Sequence, residues 1–175
     1  MDKIIFLFLY HLSGQNFWFD QIILFLAQVF PYFVVGGILL WCLFKFKRPL
    51  VALLWFDVVF ISAVFTWFLA SLLKYNLVSP RPFIFWSKLQ PLFLTGGLDS
   101  FPSGHAVFLG ALAGGLLVLN RRFGIGIFSV ALLIGLARVI AGVHWPSDVV
   151  AGLLFGTLIS YWLVFLVHHL RIGLK

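Results

Sequence analysis

The chain has 175 residues, of which 63% are hydrophobic and 10% are charged, and its mean hydropathy is +1.13. Because soluble domains carry about 25% charged residues, this composition excludes an ordinary soluble globule and predicts a protein embedded in lipid. The formal net charge is +7, but the Lys and Arg residues are scattered between apolar runs and form no basic stripe, so we expect no nucleic-acid partner. The length is that of a single domain, 1–175.

The apolar runs predict the membrane-spanning helices, since a helix needs about 20 mostly apolar residues to cross a bilayer. Five runs meet this requirement, in chain order: 21–44, 50–73, 103–119, 123–143 and 147–167. The apolar part of the N-terminal stretch, 1–20, is too short to cross, and we expect it to lie at the interface, with a short or tilted sixth span as the alternative. The prediction is an all-α, polytopic membrane helical bundle with five to six transmembrane helices.

Two features inside these runs concern helix packing. Gly110 with Gly114, and Gly152 with Gly156, have the GxxxG spacing that permits close contact between helices. Asp57 lies inside the second run, and we expect it to have a structural role.

Basic residues between and after the spans predict the orientation, because cytoplasmic loops carry an excess of Lys and Arg. Five alternating spans place seven of them on one side, which we assign to the cytoplasm: Lys45, Lys47, Arg48, Arg121, Arg122, Arg171 and Lys175. The remaining polar segments then face the opposite side of the membrane.

Three polar segments, 74–82, 102–105 and 138–148, fall at this non-cytoplasmic surface. Together they bring three cations, two imidazoles and one carboxylate to one depth: Lys74, Arg81, Arg138, His105, His144 and Asp148. A metal site would need more carboxylates or thiols, so we expect neither a metal nor another cofactor. Three cations instead predict a bound oxyanion, and phosphate is the first choice.

The cationic residues and the start of the third span offer donors to such a phosphate. Arg81 and Arg138 carry planar guanidinium groups whose N–H groups match phosphate oxygens, and Lys74 adds a point charge. Ser103 and Gly104 begin the predicted helix, where free backbone N–H groups and the helix dipole favour an anion.

The two histidines have the chemistry for phosphoryl transfer. His144 and Asp148 lie four residues apart around the turn that starts the last span. Asp148 can accept one imidazole N–H, which fixes the tautomer and leaves the other ring nitrogen free to attack phosphorus. His105 is then available as the general acid for the leaving oxygen. Taken singly, each residue could be an ordinary interfacial or capping group; their joint spacing favours a site.

The three segments resemble the motifs of the type 2 phosphatidic acid phosphatase family, whose relatives include the vanadium haloperoxidases. The family pattern K-x6-RP is matched by 74–82, PSGH by 102–105, and the R-x5-H-x3-D part of the third motif by 138–148. The departure is Ala137, where the family usually has Ser. We expect this change to alter phosphate affinity without abolishing activity.

The resemblance implies a lipid phosphatase with a phosphohistidine intermediate and no metal. His144 attacks phosphorus, His105 protonates the departing group, and water then hydrolyses the phosphohistidine. Five residues are implied to hold the phosphate oxygens: Lys74, Arg81, Ser103, Gly104 and Arg138. The lipid phosphate and membrane lipids are the expected partners, and the expected location is a bacterial inner (plasma) membrane with the active site on the periplasmic or extracellular side.

The identity of the lipid is left open by these motifs. Undecaprenyl diphosphate is the favoured substrate, and phosphatidylglycerophosphate, phosphatidic acid and lipid A phosphate are alternatives. The linker 83–101 is rich in aromatic residues, including Trp86 and Phe93, and we expect it to lie on the membrane and shape an entrance for the lipid tail. Two alternatives from other classes are a vanadate-binding haloperoxidase and a non-catalytic lipid-phosphate binding or transport protein. The motifs predict no oligomeric state.

Overall fold

The computed structural model describes residues 1–77, 79–94 and 97–172. The side chains of Arg171 and Ile172 lie outside this description. Lys175, which contributes to the predicted orientation, also falls outside the described residues.

The described chain is built from helices, which confirms the predicted all-α class. α2 and α3 are joined by a π-helical turn, Phe25–Val29, and form one continuous rod. An isolated antiparallel bridge pairs Pro80 with Asp99. The helices, in chain order, are α1 Asp2–Tyr10, α2 Phe17–Leu24, α3 Phe30–Lys45, α4 Pro49–Asn76, α5 Pro82–Phe85, α6 Gly104–Leu119, α7 Arg121–Ile140 and α8 Pro146–Ile172.

Helix length and composition identify the candidate membrane spans among the described residues. Four segments are long and apolar enough to cross a bilayer: Phe17–Lys45, Pro49–Asn76, Arg121–Ile140 and Pro146–Leu170. The apolar helix α6 has 16 residues and rises about 24 Å, which is less than the roughly 30 Å of a hydrocarbon core. Helix α1 has nine residues and is too short to cross by itself. The chain is therefore an integral membrane protein, and the exact number of five to six spans stays a prediction.

Helix α6 lies at the centre of the bundle and packs against α4, α7 and α8. Glycines make its contact with α8 very close: a Cβ atom on Gly114 would lie 2.2 Å from the carbonyl oxygen of Thr157, and one on Gly156 would lie 2.1 Å from that of Val107. The GxxxG spacing therefore predicted a real contact between helices. Since α6 and α8 both begin at the same end of the bundle, this contact brings the second and third motifs together.

The end of α7 differs from the predicted boundary. The apolar run continues to residue 143, but the helix ends at Ile140 and Gly142 adopts φ 81°. This left-handed conformation favours glycine, and the turn it makes redirects the chain before α8. A Cβ atom at Gly142 would also lie 3.0 Å from the Tyr10 ring. The turn holds His144 between the two helices.

Candidate active site

The three motifs meet at one pocket of about 370 Å³ at one end of the bundle. Six of the eight predicted site residues line it, together with four others from α3, the π-helical turn and the linker. The lining residues are Gln28, Tyr32, Lys74, Arg81, Phe93, Leu94, Gly104, His105, Arg138 and His144. The other two predicted residues, Ser103 and Asp148, are buried directly behind this lining.

The His144 ring is held on its Nδ1 side by a buried network. Nδ1 lies 3.4 Å from Oδ2 of Asp148 and 3.2 Å from Oγ of Ser100. Ser100 also donates its hydroxyl proton to Oδ2 of Asp148, and the backbone N–H of Trp145 donates to the same oxygen at 2.8 Å. His144 is 2% exposed and Asp148 is 1% exposed. With the Nδ1 proton directed at this network, the lone pair is on Nε2.

The Nε2 side of the ring faces the pocket and its cations. Nη1 of Arg81 lies 3.4 Å from Nε2. Burial lowers the pKa of His144 well below its usual value, and the positive charges of Arg138, Arg81 and Lys74 lower this pKa further. A neutral imidazole with a free lone pair is the form required of a nucleophile.

Backbone carbonyl groups fix the guanidinium of Arg81. Its Nε donates to the carbonyl oxygen of Gly97 at 3.0 Å, and Nη1 donates to that of Val143 at 2.9 Å. One bond reaches the linker and the other reaches the turn before His144. The arginine of the first motif therefore ties two separate segments together at the pocket.

Arg138 comes from the last turn of α7 and is 4% exposed. Its Nη1 donates to the carbonyl oxygen of Ala27 at 2.9 Å, and its guanidinium carbon lies 5.6 Å from the centre of the Phe93 ring. Among the described residues, its Nε and the Oγ of Ser103 are buried polar atoms without a hydrogen-bond partner. Since an unpaired buried donor costs about 1–3 kcal/mol, two of them beside a cationic pocket indicate a ligand with several acceptor oxygens.

The start of α6 supplies further donors. Ser103 is the N-cap residue, and its own N–H is bonded to the carbonyl oxygen of Asp148 at 3.1 Å. The N–H groups of the first helical turn, which begins at Gly104, have no partner within the helix. Lys74, in the last turn of α4, places Nζ 3.5 Å from the carbonyl oxygen of Ser100. Cations and helix N–H groups therefore converge on one anion-sized space.

His105 lies at the junction of the pocket with an apolar groove. The groove has a volume of about 320 Å³ and runs between α3, α4 and α6. It shares Gly104 and His105 with the cationic pocket, and its other lining residues are Pro31, Val64, Trp67, Phe108 and Leu109. A proton held by His105 would thus lie where a polar head and an apolar tail meet.

The linker does not have the single role predicted for it. Phe93 and Leu94 line the cationic pocket. Trp86 instead packs against Phe6 of α1 and Trp145, with ring centroids 5.7 Å and 5.5 Å away. The prediction that Trp86 shapes a tail entrance is not supported by these contacts, because α1 covers its ring.

Three residues at the site were not predicted: Ser100, Gln28 and Tyr32. Ser100 lies two positions before the PSGH motif and is separated by 44 residues from His144, so its contact depends on the fold. Gln28 carried a signal that could have been used, since an amide inside an apolar span requires a polar partner or cavity. The unusual Ala137 is 1% exposed and belongs to an apolar cluster with Ala27 and Val143.

Comparison with known proteins gives consistent matches. The sequence model of a family described as the PAP2 superfamily matches residues 52–172, which include all eight predicted site residues. A lipid A 1-phosphatase of Rhizobium johnstonii is 36% identical over 106 residues, which are 58% of this chain and 43% of that protein. An undecaprenyl-diphosphatase of Sulfolobus acidocaldarius is 38% identical over 103 residues, 58% of this chain and 50% of that protein.

The matched segments thus span half or less of these two relatives. A solved structure covers more of the chain: the crystal structure of Aquifex aeolicus LpxE superposes with a TM-score of 0.70 at 25% identity, over 93% of this chain and 94% of that one. The similarity extends to the N-terminal helices that precede the matched family region.

Proposed function

Because the chain belongs to the PAP2 superfamily, we propose that it is a membrane phosphatase that hydrolyses a lipid phosphate or diphosphate, with His144 as the nucleophile. One observation carries the proposal. Two buried donors, Ser103 Oγ and Arg138 Nε, have no partner among the described residues, and they lie beside a pocket lined by three cations. A phosphate group supplies the acceptor oxygens and the negative charge that this arrangement requires.

In the first proposed step, Nε2 of His144 attacks phosphorus. A P–N bond forms, the P–O bond to the lipid breaks, and His105 gives its proton to the departing oxygen. Oδ2 of Asp148 and Oγ of Ser100 accept the hydrogen bond from the Nδ1–H group of His144. The positive charge that develops on the ring is therefore stabilised without movement of the imidazole.

The remaining donors act on the oxygens that do not leave. The negative charge on the three equatorial oxygens is stabilised by Lys74, Arg81, Arg138 and the N–H groups at the start of α6. In the second step, water attacks the phosphohistidine, His105 takes a proton from this water, and the P–N bond breaks to release phosphate. The cycle returns both histidines to their starting state.

A lipid is favoured over a soluble phosphate ester because the phosphate pocket continues into the apolar groove. His105 and Gly104 line both spaces. The hydrocarbon chain of a substrate whose leaving oxygen lies at His105 would therefore contact Trp67 and Phe108 in the groove. Burying an alkyl chain there contributes about 0.8 kcal/mol for each methylene group removed from water.

Undecaprenyl diphosphate is the first substrate to test, and lipid A 1-phosphate is the second; both are suggested by the names of relatives. Phosphatidylglycerophosphate and phosphatidic acid complete the set. The site occupies the ends of α4 and α7 and the starts of α6 and α8, while Lys45 and Arg121 lie at the opposite helix ends. This distribution supports a site on the periplasmic or extracellular side of an inner membrane.

The decisive experiment measures phosphate release by detergent-purified protein from these four lipids, in the presence of excess EDTA. We expect release from at least one lipid, and we expect His144→Ala to reduce it by at least about 10³-fold. His169→Ala is the matched control, because His169 is exposed near the far end of α8.

Protein that incubation with a ³²P-labelled substrate has labelled should lose the label in acid and keep it in alkali. This pattern would identify the phosphohistidine. A His144→Ala variant with near-normal release, or a requirement for added metal, would overturn the mechanism. Binding of the lipids without any phosphate release would instead favour a binding or transport protein. Halide oxidation after addition of vanadate tests the haloperoxidase alternative.

A further inference from the structure

The π-helical turn Phe25–Val29 lies directly beside the active site. A π-turn inserts an extra residue in a helix and is frequently found at functional sites. Ala27, in this turn, is fully buried, and its carbonyl oxygen accepts the hydrogen bond from Nη1 of Arg138. The turn is therefore fixed to one of the phosphate-binding arginines, and the side chains around it have a set position relative to the pocket.

Two polar side chains project from this part of the rod into the pocket. Gln28 follows Ala27, and Tyr32 lies four residues later, which places both on one face. Both are exposed and both line the pocket that contains Lys74 and Arg81. Neither residue is used by the proposed chemistry.

The position of Gln28 in the membrane is costly unless it has a partner. It lies 11 residues after the start of the 29-residue segment Phe17–Lys45, or about 16 Å along the helix axis. A polar side chain inside an apolar span usually faces a polar cavity or a ligand. The pocket is that cavity, so the amide is directed at whatever the pocket binds.

The chemistry of the pair differs from that of the rest of the pocket. Gln28 offers two N–H donors and one acceptor oxygen, and the Tyr32 hydroxyl is both donor and acceptor, while neither is charged. In the proposed mechanism the three cations hold the scissile phosphate. An uncharged pair of hydrogen-bonding side chains can bind the oxygens of the group bonded to the scissile phosphate.

The same rod also lines the apolar groove. Pro31, between Gln28 and Tyr32 in sequence, is one of the groove residues. This part of the rod therefore presents polar side chains to the cationic pocket and an apolar side chain to the groove. Prenyl diphosphates and glycolipid phosphates likewise combine a phosphate, an oxygen-rich group and a hydrocarbon chain.

We propose that Gln28 and Tyr32 bind the oxygen-rich group bonded to the scissile phosphate, which is the second phosphate of a lipid diphosphate or the sugar of a glycolipid phosphate, and thereby select the substrate. The inference rests on the proposed phosphatase function. It assigns specificity to a helix that carries none of the family motifs.

The test compares three substrates with the full-length chain in detergent: a prenyl diphosphate, a glycolipid 1-phosphate and a plain alkyl monophosphate that has no oxygen-rich group. The quantity of interest is the ratio of kcat/KM for each of the first two to that for the third. We expect Gln28→Leu to lower at least one ratio about 5- to 30-fold, since one or two hydrogen bonds are lost. We expect Tyr32→Phe to lower the same ratio less.

Gln21→Leu is the matched control, because Gln21 is an exposed glutamine on the same rod that does not line the pocket. It should leave all ratios unchanged. The substrate whose ratio falls identifies the group that is bound. Equal losses on all three substrates, or no change of either ratio, would overturn the proposal. Wild-type protein that releases no phosphate from any of the three would overturn the phosphatase function itself.

Discussion

The two walls of the cationic pocket are built in different ways. The inner wall, Arg81, Ser100, His144 and Asp148, is buried and cross-linked by hydrogen bonds between segments distant in sequence. The outer wall, Gln28 and Tyr32, is exposed on a single helical rod. A rigid, desolvated wall suits a reaction whose geometry must not vary, and an open wall suits recognition of a group that differs between substrates. The comparison predicts that inner-wall changes reduce kcat, whereas outer-wall changes alter substrate preference.

The largest effect beyond loss of the nucleophile is expected from Arg138→Lys. Lysine keeps the positive charge but cannot supply both the bond to the Ala27 carbonyl and a donor at the position of Nε. We expect kcat/KM for every substrate to fall about 10²- to 10³-fold, the cost of losing one preorganised donor. Arg122→Lys, an exposed change at the other end of α7, is the control. If Arg138→Lys kept activity within about threefold of wild type, a positive charge at position 138 would be sufficient without the guanidinium donors.

Ser100→Ala tests whether the inner wall positions the nucleophile. The variant removes the hydroxyl that joins His144 to Asp148, and we expect kcat to fall about 10- to 30-fold with little change of KM. Steady-state kinetics of this variant and of Ser129→Ala, whose hydroxyl donates to the Ile125 carbonyl oxygen within α7, provide the measurement. A loss confined to KM would contradict a positioning role.

The pH dependence of Lys74→Met tests the electrostatics of the same wall. Lys74 is one of the charges that lower the pKa of His144, and only the neutral imidazole can attack. Protonation of His144 in the free enzyme therefore makes kcat/KM fall on the acid side of the pH profile, at a pH well below the usual pKa of a histidine. Removal of the Lys74 charge raises this pKa, so this acid limb of the profile should move to higher pH. Lys88→Met, an exposed change in the linker, should leave the limb in place, and a limb that moves to lower pH in Lys74→Met would refute the assignment.

The smallest effect on catalysis is expected from Trp67→Ala, a change in the apolar groove beside the outer wall. Trp67 lines the apolar groove, so its loss should raise KM for a long-chain lipid about 3- to 10-fold more than for a short-chain one. Trp86→Ala is the informative comparison, because that ring packs against Phe6 and Trp145 instead. It should lower the Tm without changing the chain-length dependence of KM. The reverse result would place the tail entrance at the linker, as the sequence had suggested.

Much of the fold class and most of the residues that line the cationic pocket could be predicted from local patterns. Apolar runs of about 20 residues indicate membrane helices whatever their packing, and the i,i+4 spacing of His144 and Asp148 places them together across the start of one helix. The family membership predicted from the motifs is confirmed. The catalytic roles of these residues stay predictions that the variants above test.

Tertiary structure decided the contacts that join distant segments. Ser100 reaches His144 because α6 and α8 pack backbone to backbone at Gly114 and Gly156. How closely the two helices approach depends on the surfaces of both. Gln28 faces the pocket because the π-turn sets the register of the rod, and that turn is bonded to Arg138 on another helix. The sequence by itself therefore determined which chemical groups are available at the membrane surface, since composition and local spacing act within one helix. Their partners, and the wall that surrounds the substrate, depend on helix packing, which no local spacing encodes.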